Sequence, residues 1–412
     1  MKKNPFQLLL ISGMLVLITS CQKTIDKPFA VPEGSSKASN NISKENEKKV
    51  YVASVDELYA AVNDPDNAGT DVILAPGTYV LSSNYPNGGR LELQTDMSLK
   101  GQPGQTDAVL IDQSALPFAS FRLTPTVTVA PIRIGRGSNS LEWLSIKGGT
   151  VAVNPLSVIE SDLLGNETNV TISHVFVDCN GSRTGILFRN RLEEHANRVI
   201  NATLEYSEIA NAFINNNTPG AGLALQNRIS GAQIKLNMQG NYIHGCKIGI
   251  LNFNSGLGNP VDNCTLDIAS HNDRIEGNGC GIDLSAGSGA GSAYANNGSV
   301  TAKIYGATIK NNGVAHLSPN NGALLSGVYV AGAYGAIASN NVLNISFSGC
   351  DISNNNAPDI YAYGAFSPTA VIAGINNRFD LYLNGLSANA TVESAASVPA
   401  EPAGTNVLNI YR

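Results

Sequence analysis

Gly240-Asn-Tyr-Ile-His-Gly-Cys246 (GNYIHGC) is one of six versions of a single short phrase in this chain. The others are HVFVDCN (174–180), YSEIANA (206–212), NDRIEGN (272–278), GATIKNN (306–312) and GCDISNN (349–355). Their central aliphatic residues, Val177, Ile209, Ile243, Ile275, Ile309 and Ile352, follow one another at steps of 32, 34, 32, 34 and 43 residues. A repeat of this length marks a solenoid, in which one unit cannot bury its apolar face without its neighbours.

The residues around the anchors say which solenoid. Asn stands three positions after the anchor at Asn180, Asn278, Asn312 and Asn355. Asn tolerates the left-handed backbone of a sharp corner, and stacked Asn side chains can bond along an axis. A second apolar run follows each phrase: GILFRN, GLALQN, GILNFN, GIDLSA, GVYVAG and DIYAYG. Strand, corner and strand with alternating side chains describe one turn of a coil. The expected fold is all-β, a right-handed parallel β-helix with an N-terminal cap helix.

Composition agrees with this. The 412 residues are 43% hydrophobic and 14% charged, with 41 Gly, and the formal charge of −6 comes without a basic tract. That balance speaks against a nucleic-acid partner. The N-terminus reads as a targeting segment over 1–20: Lys2 and Lys3, an apolar stretch from Leu8 to Ile18, then Thr19-Ser20-Cys21. Ile18-Thr-Ser-Cys21 resembles a bacterial lipobox, which makes Cys21 the lipidated residue and places a monomeric chain at the cell envelope, anchored to a membrane by lipid alone. Residues 21–49 are a polar tether, and 50–412 form one β-helical domain. VIAGINNRFDLYLNG (371–385) and NVLNIYR (406–412) suggest irregular final strands acting as a C-terminal cap. Five further cysteines, Cys179, Cys246, Cys264, Cys280 and Cys350, lack metal-type spacing. They suit buried thiols, with a Cys246–Cys280 disulfide as the alternative.

SVDELYAAVNDPDNAGTDVILAPGTYVL (54–81) opens with Ser54 three residues before Glu57, a helix-capping pattern, and proceeds to Leu74, Pro76, Gly77 and Tyr79. This segment resembles the opening of pectin-lyase-like right-handed β-helix proteins, where a cap helix leads into such a turn. IRIGRGSNSLEWLSIKGG (132–149) and the later coils extend the likeness over roughly 50–365. The resemblance implies the fold; the superfamily holds lyases, hydrolases, epimerases, tailspikes and adhesins.

Each chemistry makes its own demands. Polygalacturonase-type hydrolases need clustered aspartates with Gly-His-Gly and Arg-x-Lys signatures, and this chain has no Asp-Asp, Gly-His-Gly or Arg-Ile-Lys. Lyases need the sugar carboxylate neutralised, often by Ca²⁺, and a Lys or Arg base. Candidate acids are Glu160, Asp162, Asp178, Asp273, Glu276 and Asp283, and candidate catalytic cations are Arg189, Lys247 and Arg274. The densest polar stretch runs from Arg183 to Arg198 and includes Arg191, Glu193, Glu194 and His195. It reads either as a salt-bridged surface loop or as a carboxylate clamp. The remaining histidines, His174, His244, His271 and His316, form no zinc pattern.

Alternation along the second strand of each coil places Arg189, Gln226, Asp283, Tyr329, Tyr361 and Tyr363 outward, a strip suited to sugar rings. The segment IGILNFN breaks the pattern, since it sets Asn252 inward. The functional expectation is a surface lipoprotein that engages extracellular, acidic polysaccharide, as a lyase or as a non-catalytic glycan-binding, adhesive or spacer protein.

Overall fold

The structure, a computed structural model, describes residues 48–412 except 117–121, 125–126, 129, 135–136, 150–156, 162–166, 191–197, 214–219, 255–259, 291–292, 319–324, 336, 357, 368–373, 387–389 and 400–403. Cys21, the leader and nearly all of the tether lie outside the described residues, as do Asp162, Arg191 and His195.

The chain winds as the expected right-handed parallel β-helix. Each coil contributes a strand of about seven residues and a three-residue strand to one 19-stranded sheet, then a longer strand to a 12-stranded sheet. One coil, for example, comprises Val199–Glu205, Glu208–Ala210 and Ala221–Asn227. The next coil pairs with it in parallel register at Ile200↔Ile234, Ile209↔Ile243 and Leu223↔Ile250. Inward residues of all strands merge into one continuous apolar core. Each fully buried Leu or Ile there contributes roughly 1.5–3 kcal/mol relative to exposure.

Corners carry the sequence signal. In four consecutive coils three left-handed residues recur with constant spacing: Gly231, Gly240 and Gly245; Asn263, Asn272 and Gly277; Asn297, Gly306 and Asn311; Asn340, Gly349 and Asn354. The first two members of each set stand nine residues apart, and the last two five apart. The six quoted phrases all begin on a left-handed residue. The left-handed residue at their far end sits two places after the anchor in five coils; only Asn180, at φ 48°, takes it three places after. The expectation that Asn278, Asn312 and Asn355 make the corner is therefore corrected. They follow it, turned inward, where the amide reaches the next coil.

There the expected ladder forms. Asn312 Oδ1 accepts both the backbone N–H and the Nδ2–H of Asn278, and Asn355 Oδ1 does the same for Asn312. Asp359 closes this ladder by accepting from Asn355. A second runs Asn341–Asn377–Asn406 and a third Ser207–Asn241–Asp273 at the other two corners. Cys246, Cys264 and Cys350 occupy the same after-corner positions, so a buried thiol stands where other coils place Asn. All five described cysteines are free and buried, which removes the Cys246–Cys280 disulfide.

At the N-terminal end, helix α1 (Val55–Val62) covers the first coil with Leu58, Tyr59, Ala61 and Val62. Ser54 Oγ accepts the Glu57 N–H at 3.3 Å and Glu57 returns a bond to the Ala53 N–H at 2.7 Å, the capping box seen in the sequence. Tyr79 anchors the following turn, its hydroxyl 2.9 Å from the carbonyl oxygens of Val52 and Ala75. The C-terminal strands are regular rather than irregular. Arg378–Asn384 pairs along its whole length with Val342–Ser348, and Val407–Tyr411 then pairs with it. Inward Phe379 and Leu381 are matched there by Leu408 and Ile410, so the core's alternation runs to the last rung.

Candidate functional site

The 12-stranded sheet differs from the other in having both faces buried along much of its length. The strands that matter are β1 (Thr184–Asn190), β2 (Ala221–Asn227), β3 (Ile248–Asn254), β4 (Cys280–Ala290), β5 (Ser326–Tyr334), β6 (Ile360–Phe366) and β7 (Val392–Val398). Every residue of β1 and β2 is buried. Inward Ile186, Phe188, Leu223 and Leu225 belong to the main core, whereas Leu187, Ala224, Leu251, Tyr329 and Tyr363 form a second apolar cluster on the outer face.

A cavity of about 240 Å³ opens on that outer face. Arg183, Gln226, Arg228, Phe253, Asp283 and Tyr334 supply its chemistry. Arg228 is held in place twice: its Nε–H donates to Gln226 Oε1 at 3.2 Å, and its guanidinium lies 5.5 Å from the centre of the Phe253 ring. Gln226 pairs in register with Arg189 on β1, so Arg189 stands beside the cavity's polar edge. Burial first, and then the neighbouring Arg189 charge, pushes the Arg183 pKa down. Across the cavity, Asp283 faces tyrosine. Burial, then the Asp283 charge, raises the Tyr334 pKa to about 12, so the phenol stays protonated at neutral pH.

Asn252, the residue that breaks the alternation, is explained here. Its inward amide bonds both backbone groups of Ser285 on the next strand, donating to the carbonyl at 2.8 Å and accepting from the N–H at 2.6 Å. A buried amide with both ends satisfied carries no desolvation penalty to speak of. It also locks β3 to β4 directly beneath the cavity.

The sequence-derived candidates fall into three places. Arg189, Gln226 and Asp283 reach the outer face, with Gln226 and Asp283 lining the cavity. Lys247 directly precedes β3 as Arg183 directly precedes β1, two strands away at the same edge, and burial pushes its ammonium pKa down. Arg274 is on the other sheet altogether. It lies over the Tyr242 ring at 4.4 Å and pairs with Glu276 at 2.9 Å, beside His244 and its partner Glu208. The three proposed catalytic cations are not brought together.

The tyrosine strip is also corrected. Tyr329 is wholly buried and Tyr363 nearly so, and neither presents a ring face to solvent. Tyr329 meets Phe366 edge-on at 5.6 Å and Tyr334 at 6.3 Å, while Tyr363 donates to Glu393 at 3.0 Å. These rings form a packed cluster, with half-buried Tyr361 at its margin. Alternation tells which face a residue takes and is silent on whether that face is covered. It likewise missed Arg228 and Tyr334, which lie at or just beyond strand ends where the period stops.

Of the acids proposed for calcium, Asp162 and the Glu160 side chain lie outside the described residues, and the other four are apart and engaged elsewhere. Asp178 accepts from Asn180 and Asn211, Asp273 is enclosed in a ladder, Glu276 is paired with Arg274, and Asp283 sits in the cavity. Among the described residues no three His, Cys, Asp or Glu side chains converge on one point.

No protein-family model matches the chain, and no curated protein matches it. Solved structures of similar fold include the A-modules of two mannuronan C-5 epimerases from Azotobacter vinelandii. AlgE4 has 16% identity over 86% of this chain and 89% of that one, with TM-score 0.48. AlgE6 has 16% identity over 83% and 95%, with TM-score 0.38. A rhamnogalacturonan lyase is 12% identical over 85% and 87%, with TM-score 0.30. The likeness is one of fold.

Proposed function

We propose that the chain engages acidic polysaccharide through the cavity on the outer face of the 12-stranded sheet. One observation carries this reading: Arg183 and Arg228, from opposite ends of neighbouring strands, both bring guanidinium charge to a cavity that Asp283 and the protonated Tyr334 also line. A guanidinium fork reads a sugar carboxylate bidentately. Acceptor and donor groups opposite it read hydroxyls, and Phe253 supplies an apolar surface for the ring. The binding reading needs no further group.

A lyase reading is favoured by Lys247. Burial lowers the pKa of its ammonium, the direction a general base needs, and it lies at the same sheet edge as Arg183. In β-elimination the Lys247 amine would take the proton from the carbon next to the carboxylate while the guanidinium steadies the resulting charge, and the glycosidic oxygen would leave.

The test is incubation of the purified full chain with a panel of acidic and neutral polysaccharides, followed by affinity retention and by the ultraviolet absorbance of unsaturated products. Retention of acidic glycans alone, weakened about tenfold, or about 1.4 kcal/mol, by Arg228→Ala, supports the site. Absorbance that appears with the wild type and vanishes in Lys247→Met selects the lyase. No retention of any acidic glycan rejects the reading. The envelope location and lipid anchor belong to the same proposal, supported by the lipobox-like Ile18–Cys21. Palmitate labelling that persists in Cys21→Ala would reject them.

A further inference from the structure

We infer that the cavity receives the terminus of a glycan chain and not its interior. The inference rests on the acidic-polysaccharide reading above and specifies which part of the polymer is held.

Three features carry it. The first is size. At about 240 Å³ the cavity is smaller than the roughly 300–1,000 Å³ typical of pockets for drug-sized ligands, so it holds about one sugar ring.

The second is a wall. Residues lining the cavity come from β1 to β4 and their edges, and on β5 the lining stops at Tyr334. In register with Asp283 on the following strand is Tyr329, and in register with Tyr329 is Tyr361. Tyr329, Tyr334, Phe366 and Tyr363 pack against one another at centroid distances from 5.4 to 6.3 Å, in edge-on, tilted and stacked pairs. Tyr363 is in turn fastened to Glu393 on β7. A polymer running along the outer face past Asp283 would meet this aromatic cluster, whose Tyr329 and Tyr363 are buried and whose Tyr334 and Phe366 are partly so.

The third feature is the chemistry at the blind end. The cations Arg183 and Arg228 are on the first two strands, and the acceptor Asp283 is at the wall. A carboxylate only accepts hydrogen bonds. Ring hydroxyls of any unit can donate to it, and a terminal sugar adds one more: the hydroxyl that an internal unit has lost to its glycosidic bond. Tyr329 stands behind the wall, outside the cavity's lining. Its buried hydroxyl has no hydrogen-bond partner among the described residues and stands close enough to Asp283 to feel its charge. An unmet polar group of this kind is unusual in a folded protein.

The experiment is calorimetric titration of the full chain with polygalacturonate and alginate fractions of defined length, from trimer to long polymer. The expected result is one protein bound per glycan chain at every length, with affinity per chain unchanged beyond the first few units. Oligomers whose non-reducing or reducing terminal hydroxyl is blocked will identify the end, one of the two losing binding. Asp283→Asn is expected to weaken binding about tenfold. Tyr334→Ala, checked for folding by circular dichroism, is expected to convert the stoichiometry to one that grows with length. Protein bound per chain that grows with length in the wild type overturns the inference and leaves acidic-glycan binding standing. Absence of binding to both polymers overturns the two together.

Discussion

Asn278 and Asn312, one coil apart, share a single oxygen: Asn312 Oδ1 accepts the Asn278 backbone N–H at 3.1 Å and its side-chain Nδ2–H at 3.0 Å. Asn312 Nδ2 in turn donates to Ile275 O at 2.9 Å and to Asn355 Oδ1 at 2.9 Å. A corner in the interior thus meets its backbone hydrogen-bond needs with side chains, where a sheet would use other backbone. Replacing Asn312 by Ala leaves both Asn278 donors and the Ile275 carbonyl wanting. At roughly 1–3 kcal/mol for a buried group left unmet, Asn312→Ala should destabilise the chain by about 3 kcal/mol. Urea unfolding measures this, and a loss below about 1 kcal/mol would show that the ladder is dispensable.

Asp273 is a charge-capable member of another ladder. Its Oδ1 accepts from Asn241 N and Nδ2 and its Oδ2 from Ser270 Oγ. Burial dominates these bonds and raises its pKa. A carboxyl whose folded pKa exceeds its unfolded one favours the native state most below the unfolded value, and that contribution is lost as pH rises through the folded pKa. Asp273→Asn keeps the acceptor for Asn241 and removes the buried charge. It should stabilise the chain at neutral pH by about 0.5–2 kcal/mol, the range of single stabilising substitutions, and this gain should vanish below the unfolded carboxyl value, where Asp273 is neutral in both states. Equal stability changes at acidic and neutral pH would contradict this.

His174 takes a left-handed corner at φ 54°, between Trp143 at φ 58° and Tyr206 at φ 49°, where later coils use Gly or Asn. Its ring stacks on Trp143 at a centroid distance of 3.7 Å and lies 5.2 Å from that of Tyr206. Stacking of this kind is worth about 0.5–1.5 kcal/mol, comparable to the roughly 1–2 kcal/mol cost of the backbone. Burial lowers the His174 pKa, against the smaller pull of Glu205 and Glu142. For a base with a depressed pKa, stability is complete above the unfolded value near 6.5 and falls as pH drops through the folded one. His174→Asn, which tolerates the corner, should remove that acid sensitivity. Thermal melts between pH 5 and 8, the range in which imidazole titrates, will decide; an unchanged slope in the variant would assign the sensitivity elsewhere.

Burial raises the pKa of Cys246 and Cys264 to about 12 and that of Cys179 further. A thiol-specific chromogenic reagent should therefore leave Cys179, Cys246, Cys264, Cys280 and Cys350 untouched in the native protein and label all five after unfolding without reductant. Fewer than five after unfolding would indicate a disulfide.

The solenoid was legible because its signal is redundant. Six phrases with a fixed aliphatic centre can be misread one at a time and still give the period, and Ser54 with Glu57 announced the cap helix outright. The site was less so. Arg189, Gln226 and Asp283 were assigned the correct face because alternation is a local property of a strand. Whether Tyr329 on that face meets water or Phe366 depends on residues 37 positions away in sequence, which no local pattern encodes. Arg274 was drawn in because its coil is adjacent to the right ones. It points from a different strand of that coil, and sequence distance does not separate the sides of a solenoid.

The constant spacing of the left-handed corners from Gly231 to Asn354 divides each of these four coils into a part that is ruled and a part that is not. From the first corner to the third the count never changes over four coils, so no residue can be gained or lost there without breaking the ladders. The extra length that stretches one repeat from 34 to 43 residues falls after Asn311, in the connection leading to β5. In these four coils, length varies on the flanks of the sheet that bears the cavity. For an engineer, those flanks are the place to graft a foreign loop, and the cavity can be reshaped by lengthening its borders while the ladders beneath it keep their register.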